Sequence, residues 1–331
     1  MKSNRAIDIN GFCALLEGGE RFLLVCHIHP DGDTLGSAMA MARILRLMGK
    51  NASVFCPDKI PERLLPFCGE EYFVPALPKK TERDFVIAID VPAPEQLGAF
   101  RGELENGTSL TIDHHGNSVR FSDFYENTAA SSVGEMVFDV AEALKSRGTL
   151  KDIDRECAEL IYLAISSDTG AFKYGNTTPK TMHTAARLLE YGIDFAKTNK
   201  LLYMTEPIEH LRAQAIVINN MHVLFDGAFA VTLIDEAARG GLSYEAFETA
   251  VDIARSVKGT RFAASIKQKE GKTGEFRVSM RSDGDFDVSL VCSAFGGGGH
   301  KAASACNIFA KDIESALALL VAEIKRADSA L

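Results

Sequence analysis

Three short apolar segments of this chain each end in an aspartate or a histidine, and this recurrence constrains the fold more than any other feature. The segments and the residues that follow them are 21–26 with His27, 85–89 with Asp90, and 109–112 with Asp113. Short, continuous apolar runs are typical of strands buried on both faces of a sheet. Helical patterns lie between them, so the sequence predicts a mostly parallel α/β sheet. In such sheets the functional groups gather at the carboxyl ends of the strands, so we expect these side chains to converge.

The first of these strand ends carries the most unusual stretch of the chain, HIHPDGD at residues 27–33. Two histidines and two aspartates crowd a turn before a helical pattern that starts near Thr34. Such a crowd is costly unless a cation neutralises it, because like charges a few ångströms apart repel each other. The alternative is an ordinary loop in which Asp33 or Thr34 caps the helix. That alternative explains one polar residue but not four.

The predicted fold class is α/β, with a mostly parallel sheet and flanking helices, plus a second, smaller α/β domain across a cleft. The expected divisions are 1–205 for the first domain, 206–220 for a helical linker and 221–331 for the second domain. The periodicity also predicts further helices and strands. The helices are 7–20, 34–48, 131–146, 153–166, a helical region over 178–218, 243–257 and 311–326, and the strands are 52–55, 221–225, 228–234, 261–268 and 275–281. The segment 57–81, rich in Pro and Gly, is expected to be irregular or to form short helices.

The charge, apolar content and cysteine content of the chain argue against several classes of protein. The net charge of −9 argues against a protein that grips long nucleic acid, which usually carries a basic surface. No apolar run approaches the roughly 20 residues that span a bilayer, and the N-terminus lacks the apolar region of a secretory signal. The seven cysteines are scattered without a CxxC pair, which indicates a reducing environment. We therefore expect a cytoplasmic protein without a membrane partner.

A candidate metal site follows from the acidic and imidazole side chains near the strand ends. Four aspartates bring a formal charge of about −4, which two divalent cations would cancel, and oxygen with imidazole ligands suits Mn²⁺, Mg²⁺ or Fe²⁺. Two such ions form the usual clamp for in-line attack on phosphorus, and we expect Asp90 to bridge them. Taken singly, each residue has an alternative as a turn, a cap or a buried histidine. The predicted ligands are His27, Asp31, Asp33, Asp90, His114 and Asp168.

Two neighbouring residues are assigned to supporting roles. His29 lies in the same turn as His27, and we expect it beside the ligands rather than among them. Asp113 is expected to orient a neighbouring histidine, since ligating imidazoles usually donate their other N–H to an acceptor.

The ordered set of motifs resembles the DHH phosphoesterase family. The set comprises HxxPDxD at 27–33, an aspartate after the strand 85–89, DHH at 113–115, SDTG at 167–170 and GGGGH at 296–300. More narrowly, the chain is similar to the bifunctional oligoribonuclease and pAp phosphatase (nanoRNase) branch, which has a DHH-associated C-terminal domain. The resemblance covers nearly the whole chain. It implies two Mn²⁺ ions on the N-terminal domain, with Mg²⁺ as the alternative, and a C-terminal domain that closes over the cleft.

The resemblance also implies the residues that meet the substrate. His115 falls on a phosphate contact or proton donor, and Asp90 and Arg281 join it as catalytic residues. A glycine-rich segment lets backbone N–H groups approach an anion closely, and arginine can make a bidentate contact with phosphate. A flexible linker is the alternative for the glycines. The expected substrate-binding residues are His115, Arg281, Ser282, Gly296, Gly297, Gly298, Gly299 and His300.

These assignments predict a phosphodiesterase that degrades very short RNA to mononucleotides. Dephosphorylation of pAp and hydrolysis of the linear dinucleotides pGpG and pApA are further expected activities, and long nucleic acid is not an expected partner. The alternatives are an inorganic pyrophosphatase of the same superfamily and a nucleotide sensor without catalysis. A homodimer is the expected oligomeric state, although no motif specifies it.

Overall fold

The computed structural model describes residues 4–328, and the chain divides into two units, Met1–Thr205 and Glu206–Leu331. Each unit has its own sheet and its own buried apolar core. Along residues 4–328, no helix combines the length and the apolar character needed to cross a membrane. The seven cysteines are free thiols.

The sheet of the N-terminal unit consists of parallel strands in the order β2-β1-β3-β4-β5. Their bounds are β1 Arg21–Val25, β2 Asn51–Phe55, β3 Phe85–Ile89, β4 Leu110–Asp113 and β5 Asp123–Glu126. The order reverses direction at β1, which lies between β2 and β3, and such switch points are where ligands bind in open α/β sheets. The prediction of a mostly parallel α/β sheet is therefore confirmed, and the strand ends that carry His27, Asp90 and Asp113 are neighbours.

Helices cover this sheet and supply much of its core. They are α1 Ile9–Gly18, α2 Gly32–Leu47, α3 Arg101–Gly107, α4 Val133–Ser146, α5 Arg155–Asp168, α6 Pro179–Glu190 and α7 Phe195–Tyr203. Helix α2 is buried along almost its whole length and packs against both α4 and α5. The region 57–81 contains short 3₁₀ turns, as its Pro and Gly content indicates.

The C-terminal unit contains a mixed sheet in the order β10-β11-β9-β8-β7-β6. Strands β7 and β8 run parallel, and the other neighbouring pairs are antiparallel. The strands are β6 Met221–Leu224, β7 Phe229–Ile234, β8 Phe262–Gln268, β9 Glu275–Ser282, β10 Gly298–His300 and β11 Ala303–Phe309. The helices are α8 Ile208–Asn219, α9 Glu236–Arg239, α10 Ala250–Arg255, α11 Val288–Ala294 and α12 Ile313–Ala327.

Several elements differ from the sequence prediction. The expected linker 206–220 forms α8 and falls within the second unit, because Ala213 and Val217 are buried with Ile234. The expected helix 243–257 is shorter, with a 3₁₀ turn at Glu245–Phe247 before α10. Strands β5, β10 and β11 were not predicted, since none of them forms a continuous apolar run.

Candidate metal centre

The turns after β1 and β3 place His27 and Asp90 side by side. Asp90 is 2% exposed, and its backbone N–H donates to the carbonyl of Ile112 over 3.0 Å, which fixes it against β4. Its φ angle of +59° lies in the left-handed region that aspartate adopts only at a cost. Backbone strain of this kind is retained where the surrounding structure dictates the position of a side chain. At Asp90 the side chain held in this way is a buried carboxylate.

The N-terminus of α2 supplies the next two carboxylates. Asp31 caps the helix and accepts hydrogen bonds from the backbone N–H groups of Asp33 and Thr34 at 3.0 and 3.1 Å. Asp33 is fully buried and accepts from the N–H groups of Val133 and Gly134 at 2.8 and 3.0 Å. These two donors open α4, and a helix N-terminus favours an anion because its N–H groups are unpaired and its dipole is positive there.

Asp168 stands in a less favourable place, as the last residue of α5. A carboxylate at a helix C-terminus opposes the helix dipole, which favours a cation at that end. Burial raises the pKa of Asp168, and the charges of Asp90 and Asp31 add to this effect against the opposing charge of His114, so that it reaches about 6. This position therefore favours a nearby cation.

Asp90 lies between two groups of potential ligands and presents one oxygen to each. Its Oδ2 is 3.6 Å from His27 Nε2, which is also 3.7 Å from Asp31 Oδ1. Its Oδ1 is 3.8 Å from His114 Nε2. That histidine nitrogen lies 3.8 Å from Asp33 Oδ2 and 3.5 Å from Asp168 Oδ2. The structure thus brings all six predicted ligands together in two triads, His27–Asp31–Asp90 and Asp33–His114–Asp168.

Both histidines of these triads are held in the orientation that a metal ligand needs. The Nδ1 of His27 lies 2.7 Å from the carbonyl of Ile28, and the Nδ1 of His114 lies 3.2 Å from the carbonyl of Ala130. A carbonyl can only accept, so each Nδ1 carries the proton and each Nε2 faces the carboxylates. Burial lowers the pKa of His27, but the nearby carboxylates of Asp31 and Asp90 outweigh it and raise the pKa to about 10.

His115 sits at the edge of the cluster with a side chain that is 42% exposed. Its Nδ1 lies 2.9 Å from Asp113 Oδ1 and 3.4 Å from Asp90 Oδ1. The hydrogen bond with Asp113 and the nearby carboxylate of Asp90 raise the pKa of His115 to about 11 against the opposing effect of burial. Asp113 also accepts from the hydroxyl of Ser118 and from the backbone N–H of His114 at 2.9 Å. Asp113 thus orients His115, which is open to solvent on its other side.

The donor set fits divalent cations. Asp90 Oδ1 and His114 Nε2 are buried and have no hydrogen-bond partner within the described residues. Burial and the neighbouring Asp90 and Asp168 raise the pKa of Asp33 well above its usual range. Buried polar atoms without partners and crowded carboxylates are both costly, and a bound cation removes both costs. Carboxylate and imidazole ligands without thiolates suit Mn²⁺, Mg²⁺ or Fe²⁺.

The predicted phosphate-binding residues of the C-terminal unit share one end of its sheet. Ala303 of β11 pairs with His300 on one side and with Arg281 on the other. Directly paired residues project to the same face, so Arg281 and His300 flank a single small residue. The glycines do not form a loose loop: Gly298–His300 is a strand, and a Cβ on Gly297 or Gly299 would lie 2.3–2.5 Å from a β11 carbonyl.

Two residues do not lie where the sequence predicts: Ser282 was expected to bind substrate, and His29 was expected beside the metal ligands. The Ser282 side chain is buried, and its hydroxyl donates to the carbonyl of Phe286 over 2.7 Å, so it holds the following turn rather than facing solvent. The His29 side chain is 88% exposed and lies 3.4 Å from Asp58, outside the ligand cluster. His29 has a φ of +52°, which turns it away from its neighbour His27.

Two residues contribute to the site in roles that the sequence did not predict. Asn176 donates from Nδ2 to the carbonyl of Ser131 at 3.0 Å and to the carbonyl of Asp168 at 3.1 Å, and lies 3.4 Å from Asp168 Oδ2. Thr34 donates to the carbonyl of Ile89 over 2.7 Å and so ties α2 to the end of β3. Neither belongs to a recognisable pattern, because an isolated Asn or Thr in a turn has many ordinary roles.

Comparison with known proteins assigns both units. Residues 21–165 match the DHH family, N-terminal domain, and residues 226–326 match the DHHA1 domain. The chain is 28% identical over 295 residues to a Thermus thermophilus protein named bifunctional oligoribonuclease and PAP phosphatase NrnA, covering 88% of this chain and 86% of that protein. A Bacillus subtilis protein of the same name is 28% identical, over 88% of this chain and 91% of its own length.

A solved structure agrees with this assignment. An exopolyphosphatase-related protein from Bacteroides fragilis superimposes with a TM-score of 0.83 at 25% identity, covering 96% of this chain and 95% of that one. The aspartate and histidine motifs, the parallel sheet that brings them together and the two domain matches lead to one assignment: the chain belongs to the DHH family of metal-dependent phosphoesterases and carries a DHHA1 domain in its C-terminal unit.

Proposed function

We propose that this protein is a two-metal phosphodiesterase that degrades very short oligoribonucleotides to mononucleotides. The observation that carries the proposal is the position of Asp90, whose two carboxylate oxygens face different ligand triads. A carboxylate in this position can be shared by two cations. The names of the Thermus and Bacillus relatives support the substrate class.

The two triads are the proposed ligand sets. His27, Asp31 and Asp90 would hold one ion, and Asp33, His114 and Asp168 would hold the other, with Asp90 common to both. When bound, a pair of divalent cations neutralises charge on the phosphoryl group and lowers the pKa of a water molecule that attacks phosphorus. Mn²⁺ is the proposed metal, because two imidazoles among the donors suit it better than Mg²⁺, which prefers oxygen ligands and water.

The chain's own side chains hold and neutralise the substrate. His115, oriented by Asp113 and open to solvent, donates a hydrogen bond to a non-bridging phosphate oxygen, and its raised pKa keeps it protonated near neutral pH. In the C-terminal unit, Arg281 and His300 bind a phosphate group with charge-assisted hydrogen bonds. Positioned donors of this kind stabilise charge that develops in the transition state.

The overall charge limits the substrate to small molecules. With a net charge of −9, attraction to a long polyanion is weak, whereas a local site can still hold a few phosphates. We include pAp, pGpG and pApA among the proposed substrates, since each presents a phosphate ester on a short nucleotide.

The test is a substrate panel assayed with Mn²⁺ and with chelator. The panel contains RNAs of two to ten nucleotides, pAp, pGpG and inorganic pyrophosphate. We expect Mn²⁺-dependent release of mononucleotides from the shortest RNAs, and loss of turnover by a factor of about 10³ or more in Asp90→Ala. Asp252→Asn, which changes an exposed aspartate on α10, is the control and should retain full activity.

Three outcomes would contradict the proposal or its ligand assignment. Phosphate release from pyrophosphate alone would identify a pyrophosphatase, and no metal-dependent turnover on any phosphoester would favour a nucleotide sensor. Hydrolysis of a dinucleotide by Asp90→Ala at the wild-type rate in added Mn²⁺ would refute the ligand assignment.

A further inference from the structure

Two cations face each other on the sheet of the C-terminal unit. Lys267 on β8 pairs directly with Arg277 on β9 in the antiparallel register. Directly opposite residues of antiparallel strands project to the same face with their Cβ atoms about 5 Å apart, and like charges in this arrangement destabilise a sheet. The direct pairing of these two cations therefore costs stability unless a negative charge or other contacts offset it.

No direct ion pair within the described residues neutralises these two cations. Within residues 4–328, neither Lys267 nor Arg277 forms an ion pair, although Glu245 and Glu248 act on Lys267 from a longer distance. Lys267 is 7% exposed, donates to the carbonyl of Phe247 over 3.3 Å and lies 4.3 Å from the centre of the Tyr244 ring. Burial lowers the pKa of Lys267, Glu248 opposes this effect, and the charge of Arg277 adds to it. A bound anion would offset the repulsion between Lys267 and Arg277.

A third polar side chain completes a row across the sheet. Asn307 on β11 pairs with Arg277 from the other side, and its Oδ1 is buried with no hydrogen-bond partner among residues 4–328. A half-turn of the amide puts an N–H donor at that position. Lys267, Arg277 and Asn307 thus lie on three adjacent strands and on one face, with more donors than acceptors.

This row lies on the same face as the predicted phosphate-binding residues. Arg277 and Arg281 are four residues apart on β9, so their side chains project to the same face and are separated by about 13 Å along the strand. Between them lies Ser279, paired with Ala305 and Ser265 on the neighbouring strands. Ser279 and Ala305 are half-buried, so the face is partly open on this side, whereas Ser265 is buried on the side where Ala254 of α10 packs against Ala263.

We propose that Lys267, Arg277 and Asn307 form a second phosphate-binding site, which holds a backbone phosphate of an oligonucleotide already bound at Arg281 and His300. This inference rests on the proposed function and names the part of the substrate that the second site takes. A phosphate about 13 Å from the first belongs to a nucleotide beyond the nearest neighbour. RNAs of several nucleotides therefore make a contact that pAp and dinucleotides cannot make.

The test measures binding without turnover. Fluorescein-labelled RNAs of two and five nucleotides are titrated with the full-length protein in chelator, and anisotropy is recorded at several salt concentrations. We expect Arg277→Gln to bind the five-nucleotide RNA about 10-fold more weakly and to leave the dinucleotide unchanged. The slope of log K against log salt is negative, and in Arg277→Gln its magnitude should decrease by about 0.7 for the five-nucleotide RNA.

Matched variants separate the site from general charge and from folding. Arg255→Gln removes an exposed arginine from α10 in the same unit and should change neither affinity. Arg277→Lys keeps the charge and should retain most of the affinity for the longer RNA. The melting temperature of Arg277→Gln should equal or exceed that of the wild type, because the substitution relieves the repulsion of Lys267.

Other results would overturn the second site. If Arg277→Gln weakened the binding of both RNAs equally, Arg277 would contact the first phosphate instead. If the affinity for the five-nucleotide RNA were unchanged, Arg277 would not take part in binding. A melting temperature below that of the wild type would show that Arg277 stabilises the fold. Inorganic phosphate is titrated as a separate ligand, and a 10-fold loss for it in Arg277→Gln would assign the site to the free anion. The two proposals can also fail separately. If Arg277→Gln weakened the binding of the five-nucleotide RNA alone, but the wild type hydrolysed no RNA, the proposed function would be refuted and the second phosphate-binding site would stand.

Discussion

Asp90 combines three unfavourable properties in one residue: a left-handed backbone, nearly complete burial and a carboxylate oxygen with no hydrogen-bond partner in the described part of the chain. Each costs on the order of 1–3 kcal/mol. His115 and His27 offset the burial and keep the pKa of Asp90 below its usual range. A sequence shows that an aspartate follows a strand, but its φ angle and the direction of each oxygen arise only when β3 and β4 pair. Its role as a bridging ligand stays a prediction.

The first prediction concerns Asp168, whose raised pKa has a definite consequence for stability. A carboxyl group with a folded-state pKa of about 6 stabilises the metal-free fold below its unfolded value near 4 and loses this effect as the pH rises through 6. In chelator at pH 8, we expect Asp168→Asn to increase the free energy of unfolding on the order of 2 kcal/mol. At pH 4 the variant and the wild type should differ little, as measured by urea unfolding.

Metal provides the complementary measurement on the same variant. Because Asp168→Asn lacks one proposed ligand charge, Mn²⁺ should stabilise it less than the wild type at pH 8. A variant that is less stable than the wild type in chelator at pH 8 would show that repulsion among the carboxylates is not the dominant cost in the metal-free site.

The second prediction tests Asn176, which the sequence did not single out. Its amide joins the carbonyl of Ser131 to the backbone carbonyl of Asp168 and lies 3.4 Å from the Asp168 carboxylate, so Asn176→Ala loosens the position of Asp168. Groups that orient a metal ligand typically contribute 10–100-fold to metal affinity. We expect about a 10-fold higher Mn²⁺ concentration for half-maximal activity, with kcat at saturating Mn²⁺ nearly unchanged.

Asn220→Ala is the control for that variant. Asn220 also donates from Nδ2 to a backbone carbonyl, that of Ile216, but it lies in the C-terminal unit. Its Mn²⁺ dependence should match the wild type. A loss of kcat in Asn176→Ala that saturating Mn²⁺ does not restore would argue for a role of Asn176 other than holding Asp168.

At the scale of elements, close packing of helices brings the two ends of the site together. A Cβ on Gly36 of α2 would lie 2.7 Å from the carbonyl of Leu160 and 3.0 Å from the backbone N of Ala164. A Cβ on Gly134 of α4 would lie 2.5 Å from the Ala164 side chain. Small residues at these contacts let α5 approach both α2 and α4. Asp168 at the end of α5 then reaches the carboxylates at the start of α2.

The third prediction is that Gly36→Ala separates α2 from α5. The added methyl meets backbone atoms rather than a flexible side chain, so the helices must shift, at a cost of about 1–3 kcal/mol. We expect the variant to unfold at lower urea and to bind Mn²⁺ more weakly, since Asp168 moves away from Asp33. Calorimetric Mn²⁺ titration and urea unfolding measure the two effects.

Gly18→Ala is a matched control. Gly18 is the exposed last residue of α1, and a Cβ there meets nothing within 4 Å. This change should leave Mn²⁺ affinity unaltered and increase stability by up to about 1 kcal/mol. If Gly36→Ala bound Mn²⁺ as tightly as Gly18→Ala, the helix contact would not position the ligands.

Strands differ in how well their sequences predict them. Strands β1 and β3 are continuous apolar runs because both of their faces are covered, and such runs are visible without a structure. Strand β5 is half-buried along its length and carries charge, and β11 alternates buried and half-buried residues, so neither contains an apolar run. Strand β10 contains mainly glycine, whose role is close approach to β11 and not strand propensity. These strands exist through tertiary contacts that local sequence does not encode.

At the scale of the whole molecule, sequence motifs far apart in the chain predicted a cluster, and the topology explains why. The order β2-β1-β3-β4-β5 makes the ends of β1, β3 and β4 adjacent, so His27, Asp90 and the histidines after Asp113 converge. Rules for parallel sheets provide this much. Sequence spacing does not determine side-chain geometry. It therefore could not predict which oxygen of Asp90 faces each triad, which carbonyls contact Nδ1 of the two histidines, or the contact of Asp168 with Asn176.

The two units should respond differently to metal removal, which gives the last prediction. The large apolar cores of the two units are separate: one is built from residues 12–202 and the other from residues 229–324. All six proposed metal ligands lie in the N-terminal unit. Ligand binding to the folded state stabilises it by about 2.7 kcal/mol at a free concentration 100 times Kd. For a unit of this size that corresponds to a rise in melting temperature of about 5–10 °C. Adding chelator should reverse the rise in the N-terminal unit and leave the C-terminal unit unchanged.

Hydrogen exchange measured by mass spectrometry can assign the effect to each unit. The chain contains no tryptophan, so its intrinsic fluorescence cannot separate the units, whereas exchange is read peptide by peptide. Peptides from α2 and α5 should lose protection in chelator, since these helices carry Asp31, Asp33 and Asp168, and peptides from β8 and β9 should not. Asp90→Asn should make the N-terminal peptides insensitive to Mn²⁺. Equal protection of both sets of peptides by Mn²⁺ would mean that metal acts on the chain through a site other than the one at the ends of β1, β3 and β4.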